Sequence, residues 1–151
     1  LPDLLALYQQ GDRPTSLRVF DTKETWTKAF FDTLSETAGE HLFFGNIEHF
    51  LAMSSEDQAR WVEERRRRVI KGRLLALPSE QANSKKAHDQ SELRETRILK
   101  LTTFDASFQI FGKKAILWQP LAPLALLIED ECIVAMLKAI FEGYWGSATA
   151  A

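Results

Sequence analysis

The sequence predicts an α/β fold: a mixed β-sheet flanked by helices, in one domain. Three observations predict it. In the first half, short apolar runs of strand length alternate with stretches of helical periodicity, the pattern of parallel pairing. Around Phe111-Gly112-Lys113-Lys114 two apolar runs face each other across a turn, which adds antiparallel strands. From Asp130 onward, Val134, Leu137, Ile140, Phe141, Tyr144 and Trp145 form one broad apolar helical face.

Leu1 to Tyr8 reads as the end of a helix, broken by the Gly, Asp and Pro of residues 11–15. Ser16 to Phe20 is a short strand. Asp21, three residues before Glu24, is positioned to cap a helix whose buried face carries Trp26, Ala29, Phe30, Leu34 and Ala38, with Gly39 as its stop. His41 to Phe44 is a compact apolar strand ended by Gly45-Asn46, and 47–53 is a short helical or irregular piece. Ser55 with Gln58 resembles a capping box opening a helix through Trp61 and Val62 to about Ile70, with Gly72 marking its end. Arg73 to Leu77 is a strand stopped by Pro78. Residues 79–93 carry few large apolar side chains and read as a surface helix or loop. Strands follow at about 96–101, 106–111, 114–119 and 124–129, and Asp130 caps the last helix.

The 151 residues are enough for one domain with a real core. Hydrophobic residues at 45% and charged residues at 26% exclude a disordered class. A net charge of −2 provides no global attraction for nucleic-acid backbones. The lone cysteine, Cys132, rules out an internal disulfide, and a reducing setting fits. No apolar run approaches the roughly 18 to 20 residues that cross a bilayer, so no membrane contact and a cytoplasmic location are expected.

In order and spacing, Leu17-Arg18-Val19-Phe20, Phe44-Gly45-Asn46, Ile70-Lys71-Gly72-Arg73, Leu93-Arg94-Glu95-Thr96-Arg97, Ile110-Phe111-Gly112-Lys113-Lys114 and Phe141-Glu142-Gly143-Tyr144-Trp145 resemble the effector domain of TrmB-like transcriptional regulators. These are winged-helix repressors and activators whose C-terminal part has a phospholipase-D-like fold. The resemblance implies that residues 1–12 end a linker and dimerisation helix and that 13–151 form the phospholipase-D-like regulatory domain. It also implies a homodimer that answers to a small polar effector, a sugar or similar, and reaches DNA only through an N-terminal winged helix outside this chain.

Enzymes of that fold use a histidine nucleophile, a lysine two residues on and an aspartate further along. His41, His49 and His88 are followed two residues later by Phe43, Leu51 and Gln90. The natural alignment places Phe104, Ala106 and Phe111 at the reactive positions. No enzyme activity is expected, and a phospholipase-D-like hydrolase or nuclease is the alternative, with a ligand-free dimerisation scaffold third.

Other chemistries find no better footing. No phosphate loop or nucleophile elbow occurs. The histidines are too scattered for zinc, and no cofactor or metal is expected. Cys132 is expected to be an inert, partly buried thiol, and Glu129-Asp130-Glu131 to serve a helix start rather than a cation. Arg65 to Arg68 follow Glu63 and Glu64 at ion-pair spacing, which predicts a solvated face.

The candidate effector-binding residues are Gly45, Asn46, Arg94 and Arg97. Gly45-Asn46 lies beyond a strand C-terminus, where ligands of α/β sheets gather. Arg94 and Arg97 carry guanidinium forks suited to phosphate, carboxylate or sugar hydroxyls, and equally to structural ion pairs. Tyr144, Trp145 and Trp118 fit a core or subunit interface better than a sugar platform.

Overall fold

Residues 16–35, 39–50 and 55–148 are described by the computed structural model. The strands are β1 (Ser16–Phe20), β2 (Glu40–Gly45), β3 (Lys71–Ala76), β4 (Arg94–Ile98), β5 (Ser107–Phe111), β6 (Lys114–Gln119) and β7 (Leu124–Glu129). The helices are α1 (Lys23–Asp32), α2 (Ser55–Arg67), α3 (Glu80–Ala87) and α4 (Glu131–Ser147). All seven strands join one sheet in the order β1-β7-β6-β5-β2-β3-β4. β2, β3 and β4 run parallel, and every other pairing is antiparallel. The sheet is mixed, as the sequence predicts.

Side chains alternate across the sheet. His41 and Phe43 of β2 face α1 and α2, where Trp26, Phe30, Phe50, Phe111, Ile116 and Trp118 make an aromatic-rich core. Leu42 and Phe44 face α4 and pack with Leu75, Ile110, Val134, Phe141 and Trp145. Both faces of the central strands are therefore apolar, which is why β2 lacks the polar alternation of a half-exposed strand.

The structure departs from the sequence reading at several points. β1 is not part of the parallel half: it pairs antiparallel with β7, the last strand in sequence. Thr22 rather than Asp21 caps α1, because its hydroxyl accepts from Thr25 N at 3.2 Å while Thr25 Oγ1 accepts from Thr22 N at 3.3 Å. That helix ends at Asp32 and tightens into a 3₁₀ turn over Thr33–Ser35, where the Thr33 hydroxyl donates to Phe30 O at 2.7 Å. Helix α2 stops at Arg67, and Val69, with φ 57°, turns the chain into β3. Gly72 lies within β3, where an added Cβ would come 3.4 Å from the Arg65 guanidinium. Strand β4 starts two residues before its expected position. The expected opening helix over residues 1–12, Ala38, and 51–53 of the expected 47–53 piece fall outside the described residues.

Helix α4 begins as expected, with Asp130 Oδ1 accepting from Ile133 N at 2.9 Å. Its expected apolar face divides. Val134, Phe141 and Trp145 are buried, whereas Ile140 and Tyr144 join Ile133 and Met136 among the exposed large apolar residues. Cys132 is exposed, not partly buried, because it sits in the first turn on the outward side.

Candidate functional site

Between the parallel strands and α2 lies a cavity of about 90 Å³. Its walls are mainly Phe30, Phe43, Phe50, Trp61, Val62 and Leu74, with His41 and Gln109 on the sheet side and Arg65, Lys85 and Arg94 toward the far end. A second, more polar cleft of about 390 Å³ adjoins it between α2 and the 91–92 turn. The two share Gln58, Val62 and Lys85, which mark the passage from apolar chamber to solvent.

The sheet side carries a buried polar chain. Trp118 Nε1 donates to Gln109 Oε1 at 3.1 Å, which turns the Gln109 amide so that its Nε2 faces His41 Nδ1 at 3.3 Å. Nδ1 must therefore accept, and the imidazole proton belongs on Nε2. That nitrogen is buried with no hydrogen-bond partner. Burial, then the Arg65 charge, lowers the His41 pKa to about 4, so the ring is neutral at pH 7. The Thr33 backbone acts the other way and favours the cation.

Arg65 is 1% exposed, contrary to the solvated face expected of the whole arginine run. Its Nη1 donates to Ile70 O at 2.7 Å and Leu93 O at 3.1 Å, and its Nη2 to Glu92 O. The guanidinium thus ties the end of α2 to the turn before β4. Its three neighbours behave as expected: Arg66 pairs with Glu63 at 2.8 Å, and Arg67 and Arg68 pair with Glu64. Burial chiefly, and Arg94 next, lowers the Arg65 pKa to about 10.

The four residues singled out from sequence do not form one site. Arg94 and Arg97, three apart on one strand, lie on opposite faces of the sheet. Arg94 Nε donates to Asp89 Oδ1 at 3.0 Å, and its Nη1 lies 2.6 Å from Glu92 Oε2. Arg97 stacks on Trp145, 4.3 Å from the ring centroid, and donates to Trp145 O at 2.8 Å near the C-terminus of α4. Asn46 is buried, its Nδ2 donating to Phe104 O at 3.0 Å and its Oδ1 accepting from His49 N at 3.3 Å. Gly45 has φ 130°, and a Cβ there would lie 2.7 Å from Ala106 O. Of the four, Arg94 alone lines the cavity.

The aligned catalytic positions are structural: Phe104 stacks on Phe44, Ala106 O accepts from Asn46 N, and Phe111 packs beside His41. His49 lies 3.4 Å from Asp105 at the surface, and His88 Nδ1 is 2.8 Å from Ser84 O. Among the described residues no group of three or more His, Cys, Asp or Glu could hold a metal ion, and no helix is long and apolar enough to cross a membrane. His41, Gln109 and Lys85 were missed by sequence reasoning. A histidine alternating with Phe43 inside an apolar strand was the available signal for the first.

No protein family matches the sequence, and no curated protein does. Solved structures do match. One is TrmBL2, an archaeal chromatin protein whose structure shows a novel mode of DNA binding: 20% identity and a TM-score of 0.63, over 99% of this chain and 60% of that one. Another is NucT from Helicobacter pylori, with 11% identity and a TM-score of 0.69, over 91% of this chain and 99% of that one. The present chain thus spans about 60% of the length of TrmBL2. At these identities the likeness is one of fold.

Proposed function

We propose that this chain is a non-catalytic, effector-sensing and dimerising domain of a TrmB-like transcriptional regulator. The observation that carries the reading is the preformed cavity on the parallel strands, with a neutral buried histidine and a half-buried lysine at its two ends. The superposition on TrmBL2 supports the regulator class. Effector binding favours one arrangement of two protomers by its differential affinity.

The outer side of α4 presents Ile133, Met136, Ile140 and Tyr144, on the same side of the sheet as the exposed Leu17 and Val19 of β1. An apolar surface of this kind suits a self-complementary contact. Light scattering at micromolar concentration is expected to give a dimer, and Met136→Glu with Ile140→Glu a monomer. A thermal-shift panel of sugars, sugar phosphates, nucleotides and small acids tests the sensing half, because a specific ligand raises the midpoint by mass action. A chain that stays monomeric and responds to no compound refutes the reading.

The rival is a phosphodiester hydrolase, raised by the phospholipase-D-like resemblance of the sequence. The favourable detail is His41, which is deprotonated at neutral pH and so carries a lone pair on one ring nitrogen. Against it, that lone pair is engaged by Gln109, and no lysine or aspartate stands at the aligned positions. Turnover of a generic phosphodiester that is lost in His41→Asn would favour the hydrolase.

A further inference from the structure

This inference rests on the sensor reading and names the ligand class. Lys85, on α3, is half-buried at the passage between the apolar chamber and the outer cleft. Among the described residues its ammonium has neither a carboxylate in ion-pair range nor a hydrogen-bond acceptor, whereas Arg94 has Asp89 and Glu92 and Arg65 has three carbonyls. Burial and then the nearby Arg94 hold its pKa below the usual lysine value, with Glu92 opposing only in part. A cation in that position is stabilised by an arriving anion more than a solvated one would be.

Behind Lys85 the chamber is lined by Phe43, Phe50, Trp61 and Val62. A sugar would bring several hydroxyls into a space where most find no partner, a costly exchange for water. At about 90 Å³ the chamber is smaller than the roughly 150 Å³ cavity known to admit benzene, which favours a short aliphatic chain over a ring.

We infer that the cavity takes a short aliphatic carboxylate, its chain among Phe43, Phe50, Trp61 and Val62 and its carboxylate on Lys85. The sugar expected from the sequence resemblance does not suit this lining. The carboxylate lies at the junction with the outer cleft, where the opposite oxygen keeps its water.

Isothermal titration with pentanoate, pentanamide, acetate and inorganic phosphate tests this on the 151-residue chain. Pentanoate is expected to bind about tenfold or more tightly than each of the other three, since one charged contact and one buried chain are each worth at least that factor. Lys85→Met is expected to erase the preference for pentanoate over pentanamide. Val62→Trp, which fills the passage, is expected to weaken both. Equal binding of acid and amide by the unaltered chain overturns the inference, as does acetate or phosphate binding as tightly as pentanoate, or Lys85→Met keeping the preference. If pentanoate fails while a sugar or nucleotide raises the melting midpoint, this ligand class falls and the sensor reading stands. If no compound of either set binds, both fall.

Discussion

Acidification tests the buried histidine directly. His41 is 4% exposed, and its Nδ1 already accepts from Gln109. Protonation would set one N–H against another in a site that burial and Arg65 make hostile to positive charge. The folded-state pKa of about 4 lies below the ordinary histidine value of 6.5, so the unfolded chain binds the proton first. The sign follows: the contribution to stability is complete above about pH 6.5 and is lost as pH falls toward 4. A depression of that size corresponds to about 3 kcal/mol. Urea unfolding at pH 7 and pH 4 measures it, with His41→Asn as the reference, since the Asn Oδ1 can take the place of Nδ1 as acceptor. The unaltered chain is expected to lose about 3 kcal/mol more than the variant over this interval. An NMR titration of the His41 ring near pH 6.5, or equal losses in the two proteins, refutes the argument.

Arg65→Met removes the partner of three carbonyl oxygens but also relieves the burial of a charge. The balance is a loss of about 2–3 kcal/mol in urea unfolding, against under about 1 kcal/mol for Arg66→Met in the exposed pair beside it. Similar values for the two would show that Arg65 is not the fastening described. Gly45→Ala forces a Cβ to within 2.7 Å of Ala106 O at φ 130°, and is expected to cost roughly 3–5 kcal/mol by the same measurement. Glu142 is held below the usual carboxylate range first by its hydrogen bonds from Arg73, so its contribution is present at neutral pH and declines as pH falls through the folded value. Glu142→Gln is expected to destabilise the chain slightly at pH 7 and less at pH 3; an equal effect at both would remove Arg73 as the cause.

Local signals were legible where local residues decide the outcome. The β5–β6 hairpin about Gly112 and the Asp130 cap of α4 follow from side chains a few positions apart. What depends on distant partners was not. Nothing near Ser16–Phe20 indicates that β1 pairs with a strand more than a hundred residues later. Within four consecutive arginines, one is buried because the 92–93 turn supplies carbonyls to it, information held 27 and 28 residues away. The separation of Arg94 from Arg97 was readable, since an odd spacing on a strand places two side chains on opposite faces. The cavity itself was not, because its walls come from α1, α2, α3 and four strands at once.

The sheet order has a mechanical consequence. β1 stands at one edge, separated from β2 by β7, β6 and β5. Yet only two residues separate Phe20 from the start of α1, and Phe30 of that same helix forms part of the cavity wall. The shortest covalent path from the chamber to the edge strand therefore bypasses three strands. A guest that displaces Phe30 pushes on a ten-residue lever whose other end is hinged to the edge strand.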